Sequence, residues 1–391
     1  MRRAPASREA EERLRRLPDR PAPGEAEATE RAWRVVEAAY SARPAGAVRR
    51  LPGLRLALVA ALVAVALAVV LTPAGARVGN WIEDRLASDD TPAFAALPEG
   101  AQVLAANGAD AWVVDSDGAL QWLGPFSQVG WSPRGLYVIG VRGRRLAAVT
   151  PTGDLRWTLQ RPRALHDPVW SPGDGYRVAY LERRDLRVVA GNGTGDHLVR
   201  HGAASMPPAW RPWTPRRDYV LTYARVGGLI ETVNVDTGRR LWVRRAAAPP
   251  IGLAWSPDGS RLVALSARGL SVYDRNGRRV LTRRLAGGRA FAVHPSGKRA
   301  AVTAARRGGT RLLVVPLAEA GRPRQLFSGP GRVQGIAWSP TGRRLLADWR
   351  DSDQWLMFGP GGQVRALSGV SDELGARAVF PRVAGWCCSG G

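Results

Sequence analysis

Lysine is almost missing from this chain. Of its 57 basic residues only Lys298 is a lysine, and all the others are arginine. A phosphate-binding loop places its lysine between glycines and a Ser or Thr, whereas Lys298 runs into Arg299, so that motif is excluded. Cysteine is as scarce: the two present, Cys387 and Cys388, are adjacent near the carboxyl end. Adjacent sulfurs do not make the separated ligand pairs of a zinc site, which leaves free thiols, a vicinal disulfide or a bridge to another chain. The four histidines (His166, His197, His201, His294) are scattered, and no Gly-x-Ser-x-Gly elbow is present. His166-Asp167 reads as a turn before a strand. Asp115 with Asp117, and Asp348 with Asp351 and Asp353, lack the further ligands of a calcium loop. The sequence therefore calls for no catalytic residue, no metal and no cofactor, and for a binding protein that is not an enzyme.

What is present is a phrase that returns about every forty residues. Trp131-Ser132-Pro133-Arg134-Gly135 recurs at Trp170-Ser171-Pro172, at Trp255-Ser256-Pro257-Asp258-Gly259 and at Trp338-Ser339-Pro340-Thr341-Gly342. Degenerate copies stand at Trp210-Arg211-Pro212 and Val293-His294-Pro295-Ser296-Gly297, and successive copies start 39, 40, 45, 38 and 45 residues apart. Each unit holds four short runs rich in Val, Leu and Ala. In the copy at 251–285 they are Ile251–Trp255, Arg261–Leu265, Leu270–Tyr273 and Arg278–Leu285. A Ser-Pro-Asp-Gly turn follows the first run and an Asp-x-x-Gly turn the third. Four strands per unit at this period predict a β-propeller blade. Trp122, Trp157 and Trp242 each follow the second turn and are expected to fill the wedge between neighbouring blades.

The segment 97–105 aligns with the second strand of the 251–285 copy, and Ala376–Pro381 reads as a first strand with no successor. Letting the last strand complete the first blade removes the exposed edges and gives seven four-stranded blades in an all-β domain. The repeated Trp-Ser-Pro-Asp-Gly phrase resembles the WD-like repeats of bacterial TolB-type propellers, over about 97–385. That resemblance implies a propeller that binds partners, with no particular ligand.

Ahead of the repeats, Leu56 to Leu71 is an unbroken run of Leu, Ala and Val, uncharged through Ala76. As a helix these 21 positions span ~31 Å, a bilayer core. Arg49, Arg50 and Arg55 flank its amino end and acids follow its carboxyl end, so the positive-inside rule predicts a single-pass protein of the cell membrane. The expected plan is a cytosolic helical segment at 1–53 and a transmembrane helix at 54–76. A juxtamembrane helix and linker at 77–96, an extracytoplasmic propeller at 97–385 and a cysteine-containing tail at 386–391 follow. In the cytosolic segment Trp33, Val36 and Tyr40 share one face of a helix too short to bury them alone, which calls for a partner.

The formal net charge is +24. Residues 1–76 hold 13 Arg and 8 acids, leaving 44 basic and 25 acidic residues, a net +19, for 77–391. Solvated blade edges account for most of the arginine pairs, with an anionic envelope polymer or lipid headgroups as the functional alternative and no nucleic acid expected. The sequence reading is thus an envelope interaction protein that binds a protein or anionic partner. The alternative is a transmembrane regulator of anti-sigma type, its propeller sensing and its Trp33 face holding a cytosolic factor.

Overall fold

The structure is a computed structural model, and it describes residues 94, 97–212, 218–376 and 379–389. Among the described residues twenty-eight strands form seven separate sheets, each of four antiparallel strands, and the domain is a seven-bladed propeller. Blades II to VII take their strands in chain order from the inner to the outer position. They start at Gln128, Leu165, Ala209, Pro250, Gly288 and Ile336. The strands of the 251–285 copy fall where the sequence reading put them, at Pro250–Trp255, Arg261–Ser266, Gly269–Asp274 and Arg279–Arg284.

Blade I is made from both ends of the domain. Its inner strand is Arg382–Ser389, antiparallel to Ala101–Ala106, with Ala111–Val114 and Leu120–Gly124 outside. This corrects the expectation that Ala376–Pro381 closes the ring. The closing strand lies further on, the propeller extends to Ser389, and Cys387 and Cys388 belong to the sheet instead of a tail. Ala376 and Phe380 are buried in the core between blades VII and I instead of pairing in a sheet. The repeat phrase is split by this closure. Trp386 opposes Val103 as Trp255 opposes Leu262, while Gly100 precedes Val103 by three residues as Gly259 precedes Leu262.

The second and third strands of each blade are apolar without alternation because both faces of every sheet meet a neighbour. Leu262 and Ala264 pack into the core shared with blade IV, and Val263 and Leu265 into the core shared with blade VI. Seven such clusters line the seven junctions, so the domain has a ring of wedge-shaped cores. Trp242 is buried in one wedge, as expected, and Trp157 packs against another. Trp122 departs from the expectation: it is 54% exposed and its Nε1 donates to Asp110 at the surface.

Among the described residues no helix is long and apolar enough to cross a membrane. The run at 54–76 and the face formed by Trp33, Val36 and Tyr40 lie outside the described residues.

Candidate interaction surfaces

With strands running inner to outer in antiparallel order, the turn after the first strand and the turn after the third open on the same face. The Ser-Pro-x-Gly phrase builds that face. The buried Ser Oγ of Ser132, Ser171, Ser256 and Ser339 accepts the N–H of Tyr137, Arg177, Arg261 and Arg344, at 2.9–3.1 Å. The turn glycines are left-handed, with φ of 69° at Gly135, 65° at Gly259 and 71° at Gly342. A Cβ on Gly259 would stand 2.5 Å from the Pro212 carbonyl oxygen, and one on Gly175 would stand 3.1 Å from the Pro133 ring. Each turn thus rests on the turn of the preceding blade. In blade I the positions after Trp386 are Cys387 and Cys388, which are joined to each other as a disulfide. Both sulfurs lie against Gly135, and they face the carbonyls of Ser132 and Pro133. The pair occupies the place of Ser-Pro in the ring of turns. His294 fills the serine position of blade VI, buried and edge-on to Trp338, with Nε2 at 2.9 Å from the Gly342 carbonyl. Burial holds its imidazole below the ordinary range.

Between blades II and III this face opens into a groove of about 390 Å³ lined by Tyr137, Trp157, Trp170 and Tyr176. The Tyr137 and Trp170 rings stack at 6.5 Å, with the Arg156 guanidinium 5.9 Å from the Tyr137 ring. Trp157 donates its Nε1 to the Gly191 carbonyl, and its ring occupies the space a Cβ of Gly193 would need. Trp210 and Trp338 bond their Nε1 to the inner strand of the preceding blade, whereas the buried Trp170 Nε1 has no partner. On the rim, Leu136 is 59% and Tyr176 is 49% exposed. Tyr176 is held by Arg177, which stacks between it and Tyr219 and pairs with Asp236 at 3.0 Å.

The opposite face carries a smaller cavity of about 270 Å³ where the inner strands begin, lined by Gln128, Asp167, Gln334 and Arg382 among others. His166 and Asp167 lie within the inner strand of blade III, at a register shift, with Asp167 at φ 55°. His166 sets Nδ1 on the Asp167 carboxylate at 2.8 Å and Nε2 on the Arg183 carbonyl at 2.7 Å. The Asp167 hydrogen bond pushes its pKa up, and both nitrogens are committed to acceptors, so the ring has no nitrogen left to relay a proton. Asp348 is fully buried behind this cavity and accepts the N–H groups of Gln334 and Gly335 at 2.7 Å and that of Val383. Burial raises its carboxyl to about 7. Asp351 takes the Arg332 N–H and Asp353 the Ser371 N–H, so the three carboxylates serve three separate backbone contacts. Asp115 and Asp117 bond within their own turn. Among the described residues no group of His, Cys, Asp or Glu is gathered to hold a metal.

The basic residues are unevenly placed around the ring. Residues 209–330, blades IV to VI, hold 22 Arg and Lys298 against 6 acids, a net +17. Residues 97–208 hold 12 Arg and 10 acids, and residues 331–391 hold 7 Arg and 5 acids, a net +2 in each. Blade III shows how the poorer segment balances its charge. Arg161 and Arg187 meet Glu182 and Asp196 in one half-buried cluster, with the Tyr180 hydroxyl donating to Asp196. Burial pushes the Tyr180 phenol well above its ordinary range. In blades IV to VI the arginines bond to carbonyls instead. Arg244 donates to Gly277 and Arg283 to Ala318, each reaching from an outer strand to the outer turn of the next blade. Arg200 makes the same reach from blade III to Gly238. At Arg244 and Arg283 such bonds occupy guanidinium donors without cancelling the charge, although the buried Arg283 Nε has no partner. Arg200, by contrast, also pairs with Glu231.

No family model and no curated protein matches the sequence. Among solved structures the chain is similar to the β-propeller domain of Cps50 (Swd1) from Myceliophteria thermophila. The identity is 15% and the TM-score 0.50, over 62% of this chain and 86% of that one. It is also similar to hydrazine synthase from Kuenenia stuttgartiensis, at 19% identity and a TM-score of 0.49, over 61% of this chain and 77% of that one. The likeness to the Cps50 domain, at this identity, carries the propeller fold alone, since one fold hosts many functions.

Proposed function

We propose that this chain is a single-pass membrane protein of the TolB-like kind that displays its propeller outside the cytoplasm as an interaction platform. The observation that carries the reading is the open aromatic groove between blades II and III. Tyr, Trp and Arg are the side chains that concentrate binding energy at protein interfaces, and the groove presents Tyr137, Trp157, Tyr176, Arg134 and Arg156 together. Glycines at 175 and 191 keep its floor low, and the Arg177 stack fixes Tyr176 before any partner arrives, which reduces the ordering cost of binding. The occupant that fits is a protein segment with an aromatic or aliphatic anchor beside an acidic residue. The uncharged run at 56–76 with arginines on its amino side supports the membrane placement.

The test is a photocrosslinking residue placed at Tyr176 in the full-length chain, with the same residue at Val226 on the opposite face as control. A partner captured from the envelope at Tyr176 alone, and lost on Leu136→Arg, is the expected result. Capture of a cytosolic factor that depends on Trp33 and Tyr40 and is indifferent to Leu136→Arg would instead make the protein a signalling regulator.

A further inference from the structure

A second surface stands apart from the groove and does not depend on it. Blades IV, V and VI are contiguous, three-sevenths of the ring or about 150° of arc. Sixteen of their basic side chains are exposed among the described residues, including Arg240, Arg245, Arg279 and Arg284 on outer strands. Among the described basic residues of these blades the one in an ion pair is Arg225, half-buried and outside the exposed set, with Glu231. At the end of this arc, between blades VI and VII, a cavity of about 540 Å³ opens on the turn face. Arg299, Arg324 and Arg343 line it together with Gln325, and no carboxylate is among its lining residues.

We infer that the outer edge of blades IV to VI and the arginine-lined cavity at its end form a binding track for a linear, phosphate-rich polymer. Three guanidiniums around one cavity give the forked donors that match phosphate oxygens, where lysine would give point charges. A uniform coat of charge would serve solubility; here the charge is confined to one arc and stays unneutralised there. The curvature decides between polymer and bilayer. A flexible chain follows about 150° of convex edge, whereas a planar lipid surface touches only part of it. The aromatic content decides between this polymer and single-stranded nucleic acid, which is held by bases stacked on exposed rings. Among the described residues of 209–330 the large exposed hydrophobic side chains are Val226, Ile251 and Val280, and none is aromatic.

The experiment uses the full-length chain in nonionic detergent and fluorescent linear inorganic polyphosphate, read by anisotropy at several salt concentrations. Binding that weakens steeply with salt is expected, because each neutralised phosphate releases counterions. Arg299→Ala/Arg324→Ala/Arg343→Ala should weaken it at least tenfold, and the corresponding Lys variant should recover part of the loss. Arg142→Ala/Arg144→Ala/Arg145→Ala in blade II removes the same charge and should change affinity less than twofold. Thermal melts check that both triple variants remain folded. An equal loss in the two variants would show a diffuse charge effect and overturn the inference. So would displacement of the polymer by phosphatidylglycerol-doped micelles at equal phosphate, or tighter binding of single-stranded DNA than of polyphosphate. Neither result touches the groove, which the Tyr176 crosslink reports separately.

Discussion

The turn glycines are where single residues carry the most structure. Gly259 combines a left-handed φ of 65° with a neighbour, the Pro212 carbonyl, that a Cβ would meet at 2.5 Å. Gly238 has nearly the same φ, 66°, with nothing within 4 Å of its would-be Cβ. Alanine at 238 therefore bears the backbone strain alone, about 1 kcal/mol, and alanine at 259 bears the clash as well, about 2–4 kcal/mol in all. Denaturant melts of the two variants measure the difference; equal losses would mean that the turns of adjacent blades do not brace one another. Asp348 gives the second residue-scale prediction. Its carboxyl is raised to about 7 in the fold against about 3.9 in an unfolded chain. The folded state thus holds this proton more tightly. Its stabilising effect is complete below the unfolded value and is lost as pH rises through about 7. Melting temperature should fall between pH 5 and pH 8, and Asp348→Asn should flatten that slope. A slope unchanged by the substitution would assign it to other groups.

At the scale of the element, the closing strand decides whether the ring is closed. Arg382–Ser389 is the innermost strand of blade I, and it also contributes Val383 and Trp386 to the core shared with blade VII. A chain ending at Pro381 would leave Ala101–Ala106 as an open edge and the last wedge half filled. It should melt at least 10 °C lower and self-associate through the exposed strand, as scanning calorimetry and light scattering would show. A truncated chain that stays monomeric with an unshifted melt would mean that the ring holds without this strand. The same element marks how far the sequence was legible. Most blades could be read because Ser-Pro-x-Gly punctuates them locally, with the Ser hydroxyl and the left-handed Gly fixing each turn within six residues. The closing strand begins six residues beyond Ala376, the start that the sequence pattern suggests, because Cys387 and Cys388 replace Ser-Pro after Trp386. The small residue before the indole, Gly385, was the remaining signal, matching Gly130 before Trp131. The groove was only half legible. Tyr137, Trp170 and Tyr176 lie next to repeat phrases, but the inter-blade bond from Trp157 to Gly191 spans 34 residues and leaves no local trace. The arginine pairs read as solvated edges, and Arg244 and Arg283 instead tie blade to blade through carbonyls.

For the whole molecule, the uneven ring of charge has a consequence for stability as well as for binding. A net +17 in blades IV to VI, held by carbonyl bonds and one described ion-paired arginine, repels itself in the fold more than in the expanded chain. Ion pairs pull the other way, and they are gathered chiefly in blade III around Glu182 and Asp196. Salt separates the two effects by sign. The Debye length falls from about 30 Å at 0.01 M to about 8 Å at 0.15 M, which screens long-range repulsion across a blade edge more than short contacts at half-buried pairs. Repulsion should therefore win: the melting temperature rises as sodium chloride is raised from low to physiological concentration. Arg240→Gln/Arg245→Gln/Arg279→Gln/Arg284→Gln should melt higher than the natural chain at low salt, and the two curves should converge as salt increases. A melting temperature that falls with added salt would mean that the blade III pairs dominate. The arc would then be no electrostatic burden on the fold, and a polyanion would stabilise it only through its preference for the folded state.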